Sequence, residues 1–179
     1  MIILGLDPGT HKTGYGVINF QSGKYSLLDF GVTKTDAKAP LTSRLQKIFG
    51  EIREVSSKWK PDIVSIENIF VKNNVNSALL LGHARGTLIC ATLFQTGAEK
   101  QPLFMEFSPL EIKKGVVGTG SASKEQVQAM VKILLNIKNH KLPEDASDAL
   151  AAAIFAANNI SYNKIIHSRN LNLPKEKTL

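Results

Sequence analysis

Residues 2–34 hold three short apolar runs separated by two glycine turns, and this stretch constrains the fold more than any other. Residues 2–7 (IILGLD) lead into Pro8-Gly9, residues 14–20 (GYGVINF) into Gln21-Ser22-Gly23, and residues 24–34 complete the series. Proline presets and glycine permits the dihedrals of tight turns, so successive runs fold back on one another as an antiparallel β-meander.

After Pro40, which suits a first helical position, the period changes. Leu41, Leu45, Ile48, Ile52 and Val55 recur at the spacing of an amphipathic helix. Residues 62–67 (DIVSIE) predict a fourth strand, 76–95 a long helix that Asn76 or Ser77 can cap, 102–107 a fifth strand and 109–116 a short helix. Ser123 and Gln126 fit a capping box ahead of the stripe Val127, Met130, Val131, Leu134 and Leu135, and a last helix is predicted over 145–160. The 76–95 helix is apolar on nearly all sides and carries Gly82 and Gly86 one turn apart, which predicts close packing. Its partner is either the sheet of this chain or a second copy of the same helix.

A meander followed by alternating helix and strand is an α/β pattern: a mixed five-stranded sheet with helices on both faces. The order β-β-β-α-β-α-β-α is ribonuclease H-like. Sugar kinases and actin-like ATPases share that core, so topology alone does not choose a function. Residues 1–160 read as one domain and 161–179 as a basic, flexible tail with Lys164, Arg169, Lys175 and Lys177.

Four carboxylates fall where structure has little use for charge. Asp7 ends the first strand and Glu67 the fourth, and in such a sheet these strands are neighbours at its centre. Asp145 and Asp148 are three residues apart at the start of the last helix, on nearly the same face. Singly, each has an ordinary use: Asp7 as a turn former, Glu67 as an edge carboxylate, Asp145 as a cap after Pro143, Asp148 as a first-turn acid. Gathered in one crevice, two like charges 4 Å apart repel by about 4 kcal/mol at an effective dielectric of 20, which a divalent cation relieves. All-oxygen donors favour a hard ion, Mg²⁺ with Mn²⁺ able to substitute, and a pair of such ions suits phosphodiester hydrolysis. His11, His83, His140 and His167 have no metal-ligand spacing.

Charge and cysteine content narrow the partners. Lys and Arg exceed Asp and Glu by 22 to 15, a net +7, which makes a polyanion such as nucleic acid the expected partner. The single Cys90 excludes an intramolecular disulfide and a thiolate zinc site; its apolar surroundings predict a buried, inert thiol. The first residues lack the positive region of a signal peptide, and no run approaches the roughly 20 apolar residues of a membrane span, so a cytoplasmic protein is expected.

Three segments together resemble the RuvC resolvases: LGLDPGTHKTGYGVI at 4–18, IENIFVKNNVNSALLLGHARG at 66–86 and LPEDASDALAAAI at 142–154. KKGVVGTGSASKEQV at 113–127 precedes the third, and the likeness runs in one register over roughly residues 1–158. The resemblance implies a ribonuclease H-like nuclease domain in which Asp7, Glu67, Asp145 and Asp148 are catalytic metal ligands for two Mg²⁺ ions. It implies a homodimer that nicks two strands of a four-way DNA (Holliday) junction symmetrically in recombination and repair, working with the branch-migration proteins RuvA and RuvB. It also implies that Phe70 stacks on bases at the opened junction, and that Lys113 and Lys124 lie near the scissile strands. A lysine in a helix's first turn, as Lys124 would be, opposes the helix dipole, and a bound phosphate would account for it. Residues 71–75 (VKNNV) depart from the family's pattern, so base preference at the cut does not carry over. The rival readings are a junction-binding protein without catalysis and an ATP-using kinase or ATPase relative. The intact carboxylate set opposes the first, and the absence of a second lobe opposes the second.

Overall fold

In the computed structural model, residues 1–68, 75–95, 100–138 and 141–171 are described, the side chains of 161–171 excepted. The meander forms as expected from strands β1 (Ile2–Asp7), β2 (Lys12–Gln21) and β3 (Lys24–Lys34). Strands β4 (Ile63–Glu67) and β5 (Leu103–Phe107) add in parallel beyond β1, giving the order β3-β2-β1-β4-β5. The start of the β1–β4 pair is fixed by Asp62, whose carboxylate accepts from Ile2 N at 2.7 Å and whose own N–H donates to Ile2 O at 2.9 Å.

The near-continuous apolar character of β1 and β4 follows from burial on both faces. Leu4, Leu6, Val17, Val64 and Ile66 face helices α1 (Leu41–Trp59) and α2 (Val75–Leu93). Ile3, Ile18, Ile63 and Phe107 face α3 (Pro109–Val117), α4 (Lys124–Leu134) and α5 (Glu144–Leu171). The mixed sheet with helices on both faces is therefore present.

Helix α5 lies unusually close to the sheet, and glycine makes this possible. A Cβ on Gly5 would stand 1.9 Å from the carbonyl oxygen of Ala149, and one on Gly14 would stand 1.9 Å from that of Asp145. The helix answers with small residues: Ala146, Ala149, Ala152, Ala153, Ala156 and Ala157 are all buried. Ser65 on β4 ties it down further by donating its hydroxyl to Ala152 O at 2.9 Å.

Several expectations need correction. Helix α2 begins at Val75, so Asn76 and Ser77 lie in its first turn rather than at its cap. Helix α5 continues to Leu171, past the end expected near 160. Cys90 is exposed, because α2 turns Ala84, Leu88, Ala91 and Thr92 inward and leaves Cys90 on its outer side. The close packing predicted at Gly82 and Gly86 is not made within the described residues: a Cβ on either would meet nothing within 4 Å. Both line an open groove of about 590 Å³ between α1 and α2, with Cys90 one turn further on. Among the described residues no helix is long and apolar enough to cross a membrane.

Candidate active site

Two parallel strands at the centre of a sheet end side by side, and this one register brings the first two carboxylates together. Leu6 pairs with Ile66 in the β1–β4 ladder, so Asp7 and Glu67 are the next residues at the same edge. Asp7 also pairs with Gly14 on β2, the glycine on which the Asp145 backbone rests. The approach of α5 at Gly14 thus sets Asp145 beside Asp7, and Asp148 follows one turn along.

The four carboxylates divide between two clefts that share Asp7. One, of about 240 Å³, is lined by Asp7, Glu67, Asp148, Lys113 and Lys124 with apolar Ile112 and Val127 behind them. The other, of about 480 Å³, joins Asp7 and Asp145 to Gly9, Thr10, His11 and Lys12. The expected site residues Asp7, Glu67, Asp145, Asp148, Lys113 and Lys124 therefore converge. Phe70 lies outside the described residues.

Electrostatics mark Asp7 as the centre of the cluster. Burial raises its pKa to about 8, and Asp148, Glu67 and Asp145 push in the same direction, with Lys124 partly opposing. Glu67 is raised by burial and then by Asp148, while Lys124 and Lys113 lower it. Asp148 is also raised, by burial first, and the neighbouring Lys124 draws it down. Burial and mutual repulsion thus hold Asp7, Glu67 and Asp148 above their ordinary range, which favours a partner of positive charge.

Lys124 supplies part of what is missing. It stands in the first turn of α4, behind a capping box in which the Ser123 hydroxyl accepts from Gln126 N–H and the Gln126 side chain accepts from Ser123 N–H. Its ammonium pairs with Glu144 and lies 3.7 Å from Asp148. These partners account for a lysine at a helix N-terminus without a phosphate, a contact that twenty residues of separation hide from sequence inspection. Lys113 is carried by α3, which Ser108 and Glu111 cap reciprocally.

The turn after Asp7 is braced from three sides. Thr13 donates to Gly9 O at 2.6 Å and Thr35 to Thr10 O at 2.7 Å, while an Arg44 Nη lies 3.4 Å from the Thr10 hydroxyl. Neither Arg44 nor Glu144 was expected at the site: Arg44 lies in none of the segments that carry the resemblance, and Glu144 lies in the 142–154 segment but acts through Lys124, twenty residues away.

The donor set suits a hard divalent cation: carboxylate oxygens only, in a crevice that needs positive charge. Among the described residues, however, no group of three His, Cys, Asp or Glu side chains is already arranged to hold a metal ion. Mutual repulsion and the inserted Lys124 ammonium give a physical reason for the carboxylates to stand apart.

The family model for "Crossover junction endodeoxyribonuclease RuvC" matches residues 3–156. A protein of that name from Alkaliphilus oremlandii is 40% identical over 165 residues, covering 92% of this chain and 98% of its own. One from Geotalea uraniireducens is 45% identical over 158 residues, covering 88% of this chain and 89% of its own. Among solved structures, Thermus thermophilus RuvC in complex with Holliday junction substrate superposes with a TM-score of 0.81 at 30% identity, over 91% of this chain and 96% of that one. With the family model spanning residues 3–156 and relatives at 40–45% identity matched over most of their own length, this chain belongs to the RuvC family of crossover junction endodeoxyribonucleases.

Proposed function

We propose that this protein is a structure-selective endonuclease that resolves four-way DNA junctions by paired symmetric nicks. The observation that carries the reading is the convergence of Asp7, Glu67 and Asp148 on one cleft with Lys113 and Lys124, in a chain of this family. Asp7, Glu67, Asp145 and Asp148 would hold two Mg²⁺ ions, with Mn²⁺ able to substitute. Bound there, the ions supply the charge that activates a water and offsets the charge developing on the leaving 3′-oxygen.

The chain's own groups do the rest. Asp7 lines both clefts, so its carboxylate would contribute to both metal sites. Glu67 and Asp148 would complete the first site and Asp145 the second. Lys113 and Lys124 neutralise the phosphate of the scissile strand and hold it against the carboxylates, and Phe70 would stack on an unpaired base at the junction centre. Lys124 must exchange Glu144 for phosphate as the substrate enters. Hydrolysis attaches water's oxygen to phosphorus and its proton to the departing 3′-oxygen, leaving a 5′-phosphate and a 3′-hydroxyl that a ligase can seal.

Paired nicks call for two sites, and we assign the homodimer contact to α2. Val75 and Leu79 on its surface are 67% and 59% exposed, and they continue into the groove at Gly82 and Gly86. RuvA and RuvB remain the partners that family membership brings to this proposal.

The test is cleavage of an end-labelled, branch-mobile four-way junction beside a linear duplex of the same sequence, with Mg²⁺ and with EDTA. Symmetric, metal-dependent nicks in the junction alone support the reading. Binding without cutting, in Mg²⁺ and in Mn²⁺ over several junction sequences, replaces it with a non-catalytic binder.

A further inference from the structure

Strand β2 begins and β3 ends beside the carboxylates with two lysines directly opposed: Lys12 pairs with Lys34 in the outermost register of the ladder. Like charges facing each other across strands are destabilising. Both side chains are exposed, and among the described residues neither makes an ion pair. Opposite charges at this position would cost nothing, so the pair calls for an external anion.

Its place in the sheet says where that anion lies. Asp7 pairs with Gly14, and Gly14 with Val32. Lys12 and Lys34 are each two residues from that row, so they share its face, the one covered by α5, and lie one row nearer the edge. Lys12 lines the second cleft together with Asp7, Asp145 and His11. Lys113 and Lys124 line the first. The carboxylates are thus flanked by cations on both sides.

We infer that Lys12 and Lys34 form a phosphate-binding ledge for the DNA strand on the Asp145 side of the cleft, opposite Lys113 and Lys124. Two strand residues advance about 6.6 Å, and crossing one or two strands from β1 adds about 4.8 or 9.6 Å sideways, a span of roughly two to four nucleotide rises of about 3.4 Å each along one strand. A DNA strand that crosses β2 and β3 with its scissile phosphate at Asp7 therefore carries one of its next few phosphates over the lysine pair. The ledge would hold the backbone on both sides of the cut, fixing the reacting phosphate against sliding. This assignment rests on the junction-nuclease reading above.

The test is the salt dependence of junction binding, measured by fluorescence anisotropy in EDTA so that nothing is cut, with cleavage of the same junction in Mg²⁺ as a companion. Each phosphate contact contributes about 0.9 to the slope of log affinity against log salt. Lys12→Ala/Lys34→Ala is expected to flatten the slope by about two, and Lys12→Gln and Lys34→Gln by about one each. Lys24→Ala, the same loss of charge at the far end of the β2–β3 pair, is expected to leave it unchanged. The melting temperature of the double variant should be equal to or above that of the wild type, since repulsion is relieved. An unchanged slope in the double variant, or an equal change in Lys24→Ala, overturns the ledge while leaving the nuclease reading intact. A wild-type protein that neither binds nor cuts the junction overturns both.

Discussion

Without a cation the Asp7 carboxyl, its pKa raised to about 8, keeps its proton at neutral pH. In the unfolded chain it titrates near 3.8, so between roughly pH 4 and 8 the folded state binds the extra proton. Stability then falls as pH rises through that window and levels off above it. Asp7→Asn cannot ionise. In EDTA the variant should melt within a degree or so of wild type at about pH 4 and several degrees above it at pH 8. Mg²⁺ should raise the melting temperature of the wild type much more than that of Asp7→Asn, and differential scanning calorimetry reads both. Cleavage by the variant should drop by more than about 100-fold, the upper end of what losing even an outer partner of a metal ligand costs. Junction binding should persist. Lys124 gives a second residue-level expectation. Its ammonium lowers the pKa of Asp7, Glu67 and Asp148. Lys124→Ala should therefore move the acid limb of the cleavage rate–pH profile to higher pH. A profile that only loses height would assign Lys124 to substrate binding alone.

Among the elements, α5 decides whether the site exists, because it delivers two of the four carboxylates. Its position depends on the missing side chain at Gly14, where any Cβ meets the Asp145 carbonyl. Gly14→Ala should cost about 1–3 kcal/mol of stability, the usual range for overpacking. It should also depress cleavage out of proportion, since the same displacement moves Asp145 and Asp148 away from Asp7. Chemical denaturation and cleavage assays on the folded variant separate the two effects. Much of this element level was legible beforehand. The capping box of α4 depends on residues three apart, and the strand-ending carboxylates follow directly from apolar runs closed by a charge. The Gly14–Asp145 approach was not legible, because the two residues are 131 positions apart and nothing local marks their contact.

For the whole molecule the open question in the sequence was what covers α2. Gly82 and Gly86 were expected to pack closely, and among the described residues they do not. If a second copy covers them, Leu79→Asp should shift sedimentation from dimer to monomer and turn paired nicks into unpaired ones, with the monomer's fold unchanged. Gly82→Ala makes a complementary case. In an isolated helix it should stabilise by about 0.5–1 kcal/mol, whereas at a close helix–helix contact it should weaken the dimer. A rise in the melting temperature of dilute protein together with a rise in the dimer dissociation constant would place Gly82 at the contact.

Local chemistry determined the strands, the turns at Pro8-Gly9 and Gly23, the cap of α4 and the list of carboxylates. Hydrogen bonding and side-chain period act over a few residues, so a linear reading captures them. Tertiary structure alone decided that Asp7 is shared by two clefts, that Glu144 engages Lys124, that Cys90 faces outward and that Lys12 meets Lys34 beside the carboxylates. Each of these follows from the sheet's register or from the placement of a helix upon it. Those are set by the packing of distant segments, and no single stretch of sequence carries that information.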